Sequence, residues 1–209
     1  MSVLEHPRVY NLIQTLGRWH ITAGHLRNVL EDASGKLVFD VAAGTGNLVP
    51  LLPSDAEYLA IDIDAARIRS LEQKYPGARC IVGSALETGL DDDAADWSVC
   101  NGLAHHLEDD DVPRLIAELA RVTRERLVFV EPLWPGKHLI NGVLWRYDRG
   151  SHPRPESTLL AALRTHFVLD RVERFWPSQE LLLCVAHPAR QPATRGHARR
   201  RRSSGSLAF

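Results

Sequence analysis

Lys36-Leu-Val-Phe-Asp-Val-Ala-Ala-Gly-Thr-Gly46 decides the fold of this chain. Its first half is a run of branched and aromatic residues broken only by Asp40, the pattern of a strand covered on both faces. Its second half sets Gly44 and Gly46 where the strand must turn sharply and where a ligand can approach the backbone closely. A strand, a glycine-rich turn and a following helix make the first half of a βαβ unit. The helix N-terminus behind the glycines would offer N–H groups to a negative group.

Short apolar runs alternate with amphipathic ones on the C-terminal side. Tyr58-Leu-Ala-Ile-Asp62 reads as a second strand, Ala78-Arg-Cys-Ile-Val82 as a third, and Trp97-Ser-Val-Cys-Asn101 as a fourth. Arg126-Leu-Val-Phe-Val-Glu131 reads as a fifth, stopped by Pro132. Asp64 is placed to N-cap a helix carrying Ile68, Leu71 and Tyr75 at spacings of three and four, ended by Pro76-Gly77. Asp110 or Asp111 is placed to cap another, with Pro113 in its first turn and Val112, Leu115, Ile116, Leu119 and Val122 in one stripe. Thr158 to Leu163 reads as a helix; Val168–Phe175 and Glu180–Ala186 read as strands across a turn too tight for anything but an antiparallel pair. The expectation is a doubly wound α/β domain over residues 36–187, five parallel strands with helical crossovers and a terminal hairpin. Residues 1–35, with Leu12, Leu16, Leu26, Val29 and Leu30 on apolar faces, form a helical cap; residues 188–209 form a tail.

The chain has 209 residues, 44% hydrophobic and 24% charged, which excludes collagen-like, disulfide-scaffold and mainly disordered classes. No apolar run approaches the ~20 residues that span a bilayer, and the first residues lack a secretory pattern. Cys80, Cys100 and Cys184 stand far apart and read as buried reduced thiols of a cytoplasmic protein, without metal-ligand spacing. The net charge of −1 hides an asymmetry: six arginines follow Pro188 with no acid, leaving 19 basic against 26 acidic residues before it. An acidic body disfavours nucleic acid; only the arginine tail, expected to be disordered, could touch it. Arginine outnumbers lysine, a composition that suggests a GC-rich bacterial coding sequence.

Ligands of open parallel sheets bind at the carboxyl ends of the strands. Asp40 ends the first strand there and Asp62 the second. A dinucleotide requires a third glycine where Val49 stands, and Asp40 would repel its pyrophosphate. S-adenosylmethionine, with an ammonium, a sulfonium and a single carboxylate, suits Asp40, and Asp62 is placed to accept its ribose hydroxyls. His105 and His106 follow the fourth strand. They read either as a base for a hydroxyl acceptor or as packing that encloses the cofactor. Tyr10, Trp19, Trp134, Trp145 and Tyr147 read as aromatic covers of a planar or apolar acceptor or as ordinary packing.

With these residues in view, the chain resembles the class I S-adenosylmethionine-dependent methyltransferases of types 11 and 12. Val38–Gly46 resembles their first motif, Ala60-Ile-Asp-Ile-Asp64 their acidic second motif, and Ala95–Leu107 their fourth-strand segment. The resemblance implies a Rossmann-like seven-stranded sheet of order 3-2-1-4-5-7-6, with strand 7 antiparallel. It also implies S-adenosylmethionine as cofactor, held by Asp40, Ala42, Gly44, Gly46, Asp62, Ile63, Ser84, Ala85, Asn101 and Gly102, no metal, and methyl transfer to a small-molecule acceptor. The alternatives are an RNA or protein methyltransferase, or a non-catalytic binding module of the same fold. Two departures stand out. Ser84 replaces the acid that usually meets the adenine amino group, and Val122–Arg126 lacks the usual Pro-Gly-Gly turn.

Overall fold

The computed structural model describes the backbone of residues 7–133, 152–176 and 180–189, with side chains from residue 19 onward. Tyr10 has no described side chain. Trp134, Trp145, Tyr147 and the tail from Arg190 lie outside the described residues.

Helix α1 (Pro7–Leu30) precedes β1 (Leu37–Val41), β2 (Glu57–Asp62), α2 (Ala65–Lys74), β3 (Arg79–Val82) and β4 (Ala95–Asn101). Then come α3 (Asp111–Val122), β5 (Thr123–Pro132), α4 (Glu156–Arg164), β6 (Phe167–Phe175) and β7 (Leu181–Pro188). The strands form one seven-stranded sheet of order β3-β2-β1-β4-β5-β7-β6. β1 to β5 are parallel; β7 is antiparallel to both β5 and β6. The expected order and the antiparallel last strand are both found.

Successive residues of β1 serve opposite faces, as pleating requires. Phe39 and Val41 join a core with Leu115, Ile116 and Leu119 of α3 and Leu159 and Leu163 of α4. Val38 joins the other, with Leu26, Val29 and Leu30 of α1 and Leu71 of α2. The predicted α3 stripe is fully used, all five residues being buried. Each such side chain is worth about 1.5–3 kcal/mol when withdrawn from water. No helix among the described residues is long and apolar enough to cross a membrane.

Asp64 caps α2 as its position predicts, accepting from the N–H groups of Ala66 and Arg67. Four expectations change. The crossover from β1 to β2 holds no α-helix, only a 3₁₀ turn at Val49–Leu51. The cause is Pro53: a residue before proline avoids the helical region, and Leu52 is extended (φ −79°, ψ 150°). No helix N-terminus therefore stands behind Gly44 and Gly46. The crossover from β3 to β4 also lacks a helix. Its loop is tied to α3 instead, where Glu118 accepts from the Thr88 N–H at 2.8 Å and hydroxyl at 2.6 Å. Arg121 bonds Glu118 and the Leu90 carbonyl, and these partners hold the Glu118 carboxyl down at about 2. At the start of α3, Asp110 occupies the cap position without a side-chain cap bond, and Asp111 accepts from Arg114 instead. Cys80 is only half-buried, on a strand at the sheet edge, whereas Cys100 and Cys184 are buried.

Candidate active site

The carboxyl ends of β1, β2 and β4 converge on the turn that follows β1. Ala42, Gly44 and Gly46 all take left-handed backbone, with φ of 61°, 58° and 78°. Two are glycines; Ala42 carries a Cβ into that region at a cost of about 1–2 kcal/mol. No feature of the sequence marks Ala42 as strained. Gly46 also lacks room for a side chain: a Cβ would stand 2.9 Å from Leu71 Cγ and 3.1 Å from the Tyr75 ring.

Asp62 holds the turn together. Its Oδ2 accepts from the Gly44 N–H at 2.8 Å and its Oδ1 from the Asp64 N–H at 2.9 Å. The Ala43 N–H reaches the Ile61 carbonyl, and the Gly83 N–H the Asp62 carbonyl, which brings Ser84 and Ala85 to the same rim. Arg67 lies 3.9 Å from Asp62 but is half-exposed, and a pair so placed adds little. Ile63, directly beyond Asp62, is 79% exposed, an apolar side chain at the lip of the site. The Ser84 hydroxyl accepts from the Leu86 N–H at 3.1 Å, so the loop uses one of its two lone pairs.

Asp40 is buried on the face covered by α1. The Tyr58 hydroxyl donates to its Oδ2 at 2.7 Å, and no ion pair among the described residues meets its charge. Burial, helped by the neighbouring Asp62 charge and opposed by the Tyr58 bond, pushes the Asp40 carboxyl up to about 7. Tyr58 was not singled out in the sequence. It sits across the β1–β2 pair, and its apolar setting reads as core.

On β4 and β5 the chain builds a second cluster. Gly102 (φ 72°) follows Asn101, the last residue of β4, and donates to the Val130 carbonyl. The 3₁₀ turn Ala104–His106 comes next, with His105 buried and His106 exposed. Glu131, buried at the end of β5, accepts from the N–H groups of Ala104 and His105 and lies 2.5 Å from His105 Nδ1. Arg154, buried just before α4, donates to the carbonyls of Ala104, Leu107 and His152 and to Asp109. The His152 N–H adds a bond to the His105 carbonyl. Glu131 and Arg154 carry no motif signal, because they lie 26 residues from His105 and 50 from Ala104, the residues they hold. Among the described residues no cluster of His, Cys, Asp or Glu could hold a metal.

Asp62 also has a structural role in the turn. Its removal strips the acceptor from two backbone N–H groups, so the ligand-free protein cannot be indifferent to it. Asp62→Ala is expected to lower the unfolding free energy by about 2 kcal/mol in urea titration, as well as weakening cofactor binding at least tenfold. Unchanged values of both would leave Asp62 without the role assigned to it.

Known proteins resemble this chain in sequence and in fold. Residues 38–126 match the family described as a methyltransferase domain. An uncharacterised methyltransferase of Schizosaccharomyces pombe is 27% identical over 89 residues, which cover 42% of this chain and 34% of that protein. The chain thus spans about a third of the length of the curated relatives it matches. Among solved structures, the PH0226 protein from Pyrococcus horikoshii OT3 superposes with a TM-score of 0.66 at 16% identity, over 90% of this chain and 94% of that one. Magnesium protoporphyrin IX methyltransferase from Synechocystis PCC 6803, with bound S-adenosylhomocysteine, gives 0.67 at 18% identity, over 82% and 83%. Residues 38–126 thus match a methyltransferase domain, and the chain shares the fold of a methyltransferase solved with S-adenosylhomocysteine.

Proposed function

We propose that the chain transfers a methyl group from S-adenosylmethionine to a small-molecule acceptor. The observation that carries this reading is the pair of buried carboxylates, Asp40 and Asp62, on either side of the left-handed turn at 42–46. Two acids in a low-dielectric setting attract an ammonium and a sulfonium and repel a pyrophosphate. Each Asp62 oxygen keeps a lone pair beyond its N–H bond, enough to accept the ribose hydroxyls. The exposed Ile63 offers an apolar surface to the adenine ring, with Ser84 and Ala85 beside it. Asn101 and Gly102 border the methyl end from β4. When bound, the cofactor supplies a methyl group made electrophilic by its sulfonium; the chain holds the two reactants aligned and away from water. The magnesium protoporphyrin methyltransferase, solved with S-adenosylmethionine and with S-adenosylhomocysteine, supports the choice of cofactor. The acidic balance of the chain before Pro188 supports a small acceptor over a nucleic acid, whose phosphates it would repel.

Calorimetry with S-adenosylmethionine, S-adenosylhomocysteine and NAD is the direct test. The first two are expected to bind and NAD to give no heat; binding of NAD alone overturns the reading. Methyl-labelled S-adenosylmethionine incubated with a cell extract then tests the acceptor. Label in small molecules is expected. Label confined to RNA or protein overturns the acceptor class, and binding without any transfer makes the chain a binding module.

A further inference from the structure

Asp40 has a different kind of neighbour at each end of its sheet face. It lies opposite Ala60 of β2 and Val99 of β4. Side chains two residues apart on a strand share a face, so Tyr58 and Asp62 flank it diagonally on β2, and Trp97 and Asn101 on β4. Tyr58 and Trp97 lie towards the core. Asp62 and Asn101 end their strands at the edge where the 42–46 turn begins.

The two oxygens of Asp40 are used unequally. Oδ2 accepts from the Tyr58 hydroxyl at 2.7 Å, from the core side. Among the described residues Oδ1 accepts no hydrogen bond, although Asp40 is only 5% exposed. A core tyrosine is satisfied by any carbonyl oxygen; a carboxylate is a poor choice of acceptor for the fold alone, because desolvation opposes its burial. Burial and the Asp40 charge hold the Tyr58 phenol above its ordinary value, so it stays a donor.

We propose that Tyr58 is a positioning residue for the cofactor: it holds Oδ2 of Asp40 from the core side, keeps the group a carboxylate, and presents Oδ1 to the cationic end of S-adenosylmethionine. The inference rests on the methyl-transfer reading above. Burial pushes the Asp40 carboxyl up to about 7 and the Tyr58 bond acts against that rise. Without the hydroxyl the carboxyl moves higher still, and affinity that needs the charge is lost most at low pH. The titratable groups whose charge reaches Asp40 are Asp62 on β2 and Cys100 on β4. Cys80 of β3 and Tyr75 of α2 act on Tyr58, and Arg67 of α2 stands 3.9 Å from Asp62. Helix α1, which covers this face, has His20, His25 and Arg27 among its described side chains, and none of them bonds Asp40. Tyr58→Phe leaves all of these in place.

The test is the calorimetric affinity of wild type and Y58F for S-adenosylmethionine between pH 6 and pH 8.5. The ligand's own amine titrates alike in both, so the ratio of the two affinities is the readout. Y58F is expected to bind about tenfold more weakly at pH 7, as the loss of one hydrogen bond to a charged group implies, and under about threefold more weakly at pH 8.5. Should Y58F fail to fold, wild-type protein carrying ¹³C at tyrosine Cζ decides. Its Tyr58 signal is expected to follow the titration of Asp40 and, with S-adenosylmethionine bound, to hold at pH 6 the position it takes at pH 8.5 without ligand. Equal affinities at pH 7, a deficit that is the same at every pH, or a Tyr58 signal indifferent to bound S-adenosylmethionine overturns this inference and leaves the methyl-transfer reading standing. Failure of S-adenosylmethionine to bind wild type at any pH overturns both.

Discussion

Asp40→Asn is expected to make the ligand-free protein more stable and to abolish binding of S-adenosylmethionine. The carboxyl is pushed from 3.8 up to about 7, chiefly by burial, so the folded state favours its protonated form. For an acid whose folded pKa is raised, stability is highest while the group is neutral. It falls as pH rises from the unfolded value towards the folded one, here between about pH 4 and pH 7. At 1.36 kcal/mol per unit, ionised Asp40 costs the fold on the order of 4 kcal/mol above pH 7. Asparagine keeps an acceptor for the Tyr58 hydroxyl and never ionises. Its advantage in thermal unfolding should therefore be small at pH 4, grow to pH 7 and level off beyond. The wild-type protein should bind the cationic cofactor more tightly as pH rises through 7. Protons should be released on binding, seen as a calorimetric enthalpy that depends on the buffer. A variant no more stable than wild type at pH 8 would remove the argument that this acid is held at a cost for the ligand.

The second large effect is expected at Arg154. Its side chain is 6% exposed, whereas that of its carboxylate partner Asp109 is 88% exposed. The guanidinium therefore serves chiefly as a fork of donors for buried carbonyls, and its ion pair is a minor part. Arg154→Ala leaves the carbonyls of Ala104 and Leu107 without this donor and should lower the unfolding free energy by about 3 kcal/mol. Arg154→Lys should recover less than half, because an ammonium cannot reproduce the planar fork. Asp109→Asn should cost under about 1 kcal/mol. Urea titration of the three variants orders them, and a loss at Asp109 equal to that at Arg154 would mean the ion pair, not the carbonyl clamp, holds the turn.

Strands β1 to β5 were legible because each contains a short apolar run closed by Pro, Gly or Asp. Asp64 was legible as a cap because its neighbours already repeat at helical spacing. The sheet order came from the resemblance of the motifs, and hydrogen-bonded pairing of β5 with β7 bears it out. Helical crossovers were over-read. A strand followed by a glycine turn usually leads into a helix, and here a proline at position 53 leaves too few residues for one. Of the site, Asp40, Asp62 and the glycines stood in one window and could be read together. Tyr58, Glu131 and Arg154 could not, because each acts on residues 18 to 50 positions away and their types are ordinary for a strand or a loop. The left-handed Ala42 is set by the bonds around it, which no residue type announces.

The position of β7 between β5 and β6 has a bearing on synthesis. The last of the described strands in chain order enters the sheet interior, pairing Leu182 with Glu131 on one side and with Arg174 on the other. Until residues 181–188 have left the ribosome, β5 keeps an unpaired edge and β6 has no neighbour at all. The turn at 42–46 and both its carboxylates belong to strands completed more than a hundred residues earlier. The nascent chain can thus assemble its ligand-facing half while still displaying an adhesive strand edge, the interval in which a protein of this topology most needs a chaperone.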